Sequence, residues 1–153
     1  MTDWISLLPF LTAVTAVGAS GALFMPGDWY KTLQKPSWTP PDWLFGPAWT
    51  VLYLMIAIAG WLVWQADGFG PALFAWSLNL ILNAAWSWLM FGRHRVALAL
   101  ADAAGMLATI VAFIVLAYPH SSTAAALFLP YLAWVLFATA LNVDILRRNP
   151  QYA

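Results

Sequence analysis

Five long apolar stretches, separated by short breaks rich in proline, glycine or charge, constrain the fold of this chain more than any other feature. They cover about residues 4–24, 44–65, 72–91, 96–118 and 122–146. A helix that crosses a bilayer needs roughly 17–25 mostly apolar residues, and each stretch is long enough. The sequence therefore predicts an all-α membrane protein, in which a bundle of five transmembrane helices forms one domain over residues 1–153.

Charge is scarce in this chain, at 8 % of residues against 63 % hydrophobic ones. A soluble domain carries about 25 % charged residues, so we expect membrane lipids to surround this protein. The net charge is zero, which gives no reason to expect a nucleic-acid partner. Cysteine is absent, and both histidines, His94 and His120, fall in connections. No residue stands out as an axial haem ligand, and we expect neither a metal nor a cofactor.

The six basic residues all fall on one side of a five-helix arrangement. They are Lys31, Lys35, Arg93, Arg95, Arg147 and Arg148. Basic residues concentrate in cytoplasmic connections. The N-terminus is therefore predicted outside and the C-terminus in the cytoplasm for an inner-membrane protein, while an outer-membrane location stays open.

The first connection, residues 26–43, is long, and its aromatic residues are Trp29, Tyr30, Trp38 and Trp43. Its prolines fix φ and exclude a regular helix through residues 36–41. Tryptophan and tyrosine are enriched at membrane interfaces, and a long stiff loop can also cover a pocket. Both interpretations are open at this point.

Candidate site residues inside the helices recur at helical spacing. They are Trp49 and Tyr53 in the second stretch, Asn79, Asn83 and Trp86 in the third, and Tyr131, Trp134, Ala138 and Asn142 in the fifth. Spacings of three, four and seven place side chains on one face, and asparagine facing lipid would waste its hydrogen bonds. These faces should point inward. The asparagines also suit interhelical hydrogen bonding, whereas Trp49 and Trp134 favour a pocket for a flat apolar molecule.

Three motifs carry a resemblance to a known family. They are Trp29-Tyr30-x-x-Leu33-x-Lys35-Pro36-x-Trp38-x-Pro40-Pro41-x-Trp43-x-Phe45-x-x-x-Trp49-x-x-Leu52-Tyr53, Asn83-Ala84-Ala85-Trp86 with Phe91-Gly92, and Pro130-Tyr131-x-x-Trp134-x-x-Phe137-Ala138-Thr139-x-Leu141-Asn142. Together they resemble the signature of the TspO/MBR family of tryptophan-rich sensory and translocator proteins, once called peripheral benzodiazepine receptors.

This resemblance implies a membrane receptor for porphyrins such as protoporphyrin IX, with sterols and isoquinoline carboxamides as further ligands and a role in tetrapyrrole transport or regulation. The ligand-binding positions that it implies are Tyr30, Trp38, Trp49, Asn83, Trp86, Trp134 and Ala138. Two positions depart from the family. Asn79 replaces a common glutamine, and Val143 stands where a proposed sterol motif needs an aromatic residue before Arg147.

Two other functions stay open. Some members of the family are reported to degrade protoporphyrin in light, in which case Trp49 and Trp134 would carry the chemistry. Otherwise no catalytic residue is expected, since the interior offers no nucleophile or acid–base pair. A transporter is the second alternative, although transporters usually show internal repeats, which this chain lacks.

Asp102 is the one acid well inside a predicted helix. We expect an ion pair or cap with Arg93 or Arg95, and a proton or ligand contact is the alternative. The same helix carries small residues at four-residue spacing, from Ala97 to Gly105, which suit close helix packing and leave a homodimer open.

Overall fold

The computed structural model describes residues 4–153, and its architecture confirms the predicted bundle of five membrane helices. These helices are α1 (Trp4–Leu23), α2 (Asp42–Asp67), α3 (Pro71–Gly92), α4 (Val96–Ala117) and α5 (Ser122–Arg148). Each is long and apolar enough to cross a membrane, and residues 4–153 contain no strand. The chain is therefore an integral multi-pass membrane protein. Residues 1–3 of the predicted domain lie outside the described part.

Local sequence explains where α2 ends and why α5 is interrupted. Gly68 ends α2 because it adopts φ 66°, a left-handed conformation that glycine tolerates. Within α5, the regular helix is interrupted at Phe128, between Ser122–Leu127 and Leu129–Arg148. Pro130 lies two residues further along the chain, and a proline cannot donate the backbone hydrogen bond that would continue the helix.

The five helices close into a ring in the order α1, α2, α5, α4, α3. Helix α1 packs against α2 and α3, and α4 packs against α3 and α5. Helix α2 contacts mainly the first part of α5, Ser122–Leu127, and much less of the longer part that follows. The two helices therefore diverge toward the end of the bundle where α2 begins.

The opposite end of the bundle is filled with large side chains. Phe113 and Phe128 stack with ring centroids 3.9 Å apart, and both are fully buried. The Trp76 indole N–H donates to the Ile56 carbonyl oxygen at 2.9 Å. A Cβ at Gly60 would lie only 2.6 Å from the Trp76 ring, so a glycine is needed for this close approach.

The connection between α1 and α2 folds over the end where the helices diverge. It contains one short helix, Asp28–Thr32, which we call the loop helix. Tyr30 and Leu33 are buried here, in a cluster that also includes Met90 and Ile145. This connection therefore covers one end of the bundle.

Candidate ligand-binding site

A cavity of about 930 Å³ lies beneath the covering loop, with walls from α1, α2, α3 and α5 and a small contribution from α4. Its size falls within the roughly 300–1,000 Å³ of small-molecule pockets. Asp42 is the one charged residue in its lining, and it lies in the first turn of α2. The rest of the lining is mostly aromatic and aliphatic, which suits an apolar ligand.

The wall formed by α2 and α5 is aromatic. The rings of Trp49 and Tyr53 stack at 5.3 Å, as their spacing of four residues on α2 allows. Trp134 meets Trp49 edge-to-face at 6.3 Å and Phe45 at 5.9 Å. Within residues 4–153, the indole N–H groups of Trp49 and Trp134 donate no hydrogen bond.

The facing wall comes from α3 and α1. Asn83 and Trp86 line the cavity from α3, and Trp86 packs edge-to-face on Phe91 at 5.5 Å. From α1, Gly18 and Ala22 line the cavity. Their lack of bulk keeps this wall open, and a Cβ at Gly18 would meet the Tyr53 ring at 3.4 Å.

A chain of hydrogen bonds behind the cavity ties four helices together. Tyr53 Oη donates to Asn83 Oδ1 at 2.9 Å, and Asn83 Nδ2 donates to Tyr131 Oη at 2.8 Å. Tyr131 Oη donates to Asn79 Oδ1 at 3.0 Å, and Asn79 Nδ2 donates to Thr109 Oγ1 at 2.9 Å. These bonds hold α2, α3, α5 and α4 in one arrangement and fix the cavity wall in place.

The structure brings most of the candidate site residues to the cavity wall. Those that line it are Tyr30, Trp49, Tyr53, Asn83, Trp86, Trp134, Ala138 and Asn142. Asn79 and Tyr131 are fully buried behind the wall and act as interhelical hydrogen-bonding groups. Trp38 lies outside the cavity, edge-to-face on Phe137 at 5.6 Å. That any of these side chains contacts a ligand stays a prediction.

Sequence reasoning assigned no site residue to α1 and overlooked Phe45, which lines the cavity. Phe45 lies four residues before Trp49, so the helical spacing used for the other candidates could have found it. Gly18 and Ala22 are small residues four positions apart, and nothing in a single helix tells whether such side chains admit a neighbouring helix or a ligand.

Two buried oxygen atoms have no hydrogen-bond partner among residues 4–153: Asn142 Oδ1 and Asp102 Oδ2. The expected ion pair between Asp102 and Arg93 or Arg95 is wrong, since none of the ion pairs of this described region involves Asp102. Asp102 lies seven residues beyond Arg95, which is about 10 Å along a helix axis. The Arg93 guanidinium instead lies over the Trp88 ring, 5.8 Å from its centroid.

Residues 4–153 contain no group of three histidine, aspartate or glutamate side chains arranged to hold a metal ion. The cavity itself presents aromatic rings and the amide groups of Asn83 and Asn142. This geometry is that of a membrane-embedded protein that binds a small molecule.

Comparison with known proteins agrees with a membrane-embedded protein that binds a small molecule, and it identifies the family. The model of the TspO/MBR family matches residues 10–148, and the chain belongs to this family, as its motifs predicted. It is 40 % identical over 147 residues to the tryptophan-rich sensory protein of Cereibacter sphaeroides, covering 96 % of this chain and 93 % of the relative.

Two further relatives cover nearly the same length. The human translocator protein is 36 % identical over 154 residues, covering 95 % of this chain and 91 % of the relative. Protein CrtK of Rhodobacter capsulatus is 34 % identical over 145 residues, covering 92 % and 91 %. Membership of this family supports a general receptor or regulatory role in a membrane.

Proposed function

We propose that this protein is a membrane receptor that binds porphyrins of the protoporphyrin IX type in the cavity, with a role in tetrapyrrole transport or regulation. The observation that carries the proposal is the aromatic lining, to which Trp49, Trp86 and Trp134 contribute from three different helices. A flat macrocycle presents two faces and an edge to such walls, so the three indoles can contact it together.

The energy of such contacts is sufficient for useful affinity. Each aromatic contact contributes about 0.5–1.5 kcal/mol beyond the burial of apolar area, and micromolar binding needs about 8 kcal/mol. Three indole contacts supply part of this, and removal of the apolar macrocycle faces from water supplies the rest. Isoquinoline carboxamides and sterols are further candidate ligands, although Val143 weakens the expectation for sterols.

A quenching titration tests this proposal. Tryptophan fluorescence of the purified protein is followed as protoporphyrin IX is added, and the midpoint gives the affinity. We expect Trp134→Leu to lose affinity several-fold with unchanged helical circular dichroism. Trp88→Leu is the matched control, because Trp88 is exposed and lies off the cavity wall. Equal affinities for the two variants would refute the proposed site.

Light-dependent degradation of the bound porphyrin by oxygen is the alternative function, and the close packing of Trp49 on both Tyr53 and Trp134 favours it. Such a cluster of oxidisable rings could pass electrons to or from an excited macrocycle. Illumination of the complex in air tests the idea. A new product absorbance that disappears in the Trp49→Phe/Trp134→Phe double variant would support it, whereas binding without any product in the wild type would exclude it.

For an inner-membrane location, we also propose that the loop-covered end of the bundle faces the cytoplasm, with the N-terminus outside. The six basic residues all lie at the loop-covered end, in the first connection, in the α3–α4 connection and at the end of α5. Labelling of single cysteines introduced on either side of the membrane tests this orientation. Chemical cross-linking in the membrane tests for a homodimer.

A further inference from the structure

Tyr30 is the residue of the loop helix that reaches the cavity. It is 6 % exposed, lines the cavity and packs edge-to-face on Phe91 at 5.6 Å. On its other side, Lys35 Nζ lies 4.6 Å from the ring centroid and donates to the Tyr30 carbonyl oxygen at 2.6 Å. The segment from Asp28 to Lys35 therefore covers this part of the cavity with Tyr30 as its inner surface, and we call it the lid.

The segment that follows α5, residues 149–153, holds this lid through Asn149. The backbone N–H of Gln34 donates to Asn149 Oδ1 at 3.1 Å, and Asn149 Nδ2 donates back to the Gln34 carbonyl oxygen at 2.9 Å. Asn149 Nδ2 also donates to the Ile145 carbonyl oxygen at 2.8 Å. One buried side chain thus satisfies both backbone groups of a lid residue and ties them to the last turns of α5.

A second contact joins the same two segments. The Trp29 indole N–H donates to Tyr152 Oη at 2.9 Å, and the two rings meet edge-to-face at 5.4 Å. The His94 ring, from the α3–α4 connection, stacks on Trp29 with centroids 4.0 Å apart and planes inclined by 10°. Tyr152 and His94 therefore hold the lid at Trp29 from two further directions.

From these contacts we infer that Asn149 and Tyr152 are positioning residues, which latch the lid and set the rate at which molecules enter and leave the cavity. Neither residue lines the cavity, so each acts through the lid: Asn149 through Gln34, and Tyr152 through Trp29. Gln34 is exposed, so water can replace the lost bonds when Asn149 is truncated. The lid should then open more often while the bundle keeps its stability.

The absence of cysteine from the sequence allows a direct test that needs no porphyrin. A single reporter, Ala138→Cys, places a thiol on the cavity wall of protein reconstituted in lipid nanodiscs. The reaction rate of this thiol with a charged maleimide, which does not cross lipid, reports opening of the lid. Failure of porphyrin binding would leave this measurement unaffected.

In this background we expect Asn149→Ala to accelerate labelling about tenfold, the factor that corresponds to about 1.4 kcal/mol. Tyr152→Phe, which removes the hydroxyl that accepts from Trp29, should give a smaller acceleration. Gln151→Ala is the matched control, because this side chain is exposed and lies in the same segment. A labelling rate for Asn149→Ala equal to that of the control overturns the inference. An acceleration of labelling that is matched by the loss in free energy of unfolding also overturns it, because loosening of the whole bundle would then explain the faster labelling.

A companion experiment measures exchange of the ligand, and it rests on the proposed function. Asn149→Ala should speed both association and dissociation of protoporphyrin IX, whereas Gln151→Ala should leave both rates unchanged. The equilibrium affinity should change little, because the cavity wall is untouched. Exchange rates for Asn149→Ala that equal those of the control would contradict the latch.

Discussion

Tyr131→Phe removes one oxygen atom from the middle of the hydrogen-bond chain behind the cavity. That oxygen accepts from Asn83 Nδ2 and donates to Asn79 Oδ1. Asn79 and Asn83 are only 0 % and 4 % exposed. The substitution therefore breaks two interhelical bonds and leaves two buried amides each lacking one partner. The phenyl ring itself keeps its packing, so the change isolates the hydroxyl.

The expected loss of stability follows from this count of bonds. Interhelical side-chain bonds in a membrane protein are worth about 0.6 kcal/mol on average and at most about 1.7 kcal/mol. Two such bonds give about 1.2–3.4 kcal/mol for Tyr131→Phe. Tyr53→Phe breaks only the bond to Asn83 Oδ1, next to a cavity that can hold water, and should cost about 0.6 kcal/mol.

Reversible unfolding by sodium dodecyl sulfate in mixed micelles, followed by circular dichroism, measures both free energies on one scale. We expect the cost of Tyr131→Phe to be at least about twice that of Tyr53→Phe, from the ratio of bonds broken. Equal costs, or a larger cost for Tyr53→Phe, would show that the network does not tie the helices together as its geometry indicates.

Two further predictions concern packing and titration. Gly60→Ala places a Cβ 2.6 Å from the Trp76 ring and should destabilise the bundle by about 1–3 kcal/mol through overpacking. Gly46→Ala is the control in the same unfolding assay. A Cβ there would have nothing within 4 Å, so this substitution should be neutral or stabilising. Burial and the nearby Asp42 raise the pKa of Tyr30 from 10.0 to about 12, so its contribution to lid closure should be complete below pH 10 and be lost as the pH rises toward 12. The difference in tyrosinate absorbance between wild type and Tyr30→Phe measures this titration, and a midpoint at the ordinary value would show that Tyr30 is not buried under the lid.

The number of helices and their positions along the chain were predictable, because a bilayer requires a length of apolar sequence that few other structures require. The ends of helices near Pro36 and at Gly68 were also predictable, because proline and glycine interrupt a helix locally. Helical spacing also identified the inward faces that carry Trp49 and Trp134, since residues four apart share a face whatever the neighbouring helix is.

The contacts between helices were not predictable from the same signals. Spacing placed Asn79 on one face with Asn83, but only the order of the helices in the ring brings the Tyr131 hydroxyl within hydrogen-bond distance of both amides. The latch joins Gln34 to Asn149 across 115 positions of sequence, and no periodicity reports such a pairing. For Asp102, the sequence suggested a contact that is absent. Its proximity to Arg95 along the chain suggested an ion pair, whereas the rise of the helix separates the two residues.

The structure of the protein bound to protoporphyrin IX in a lipid bilayer is the measurement that decides most directly whether the cavity is the receptor site. We expect the macrocycle beneath Tyr30, in contact with the indole rings of Trp49, Trp86 and Trp134. A macrocycle bound on the lipid-facing surface, with the cavity empty or filled by acyl chains, would contradict the account.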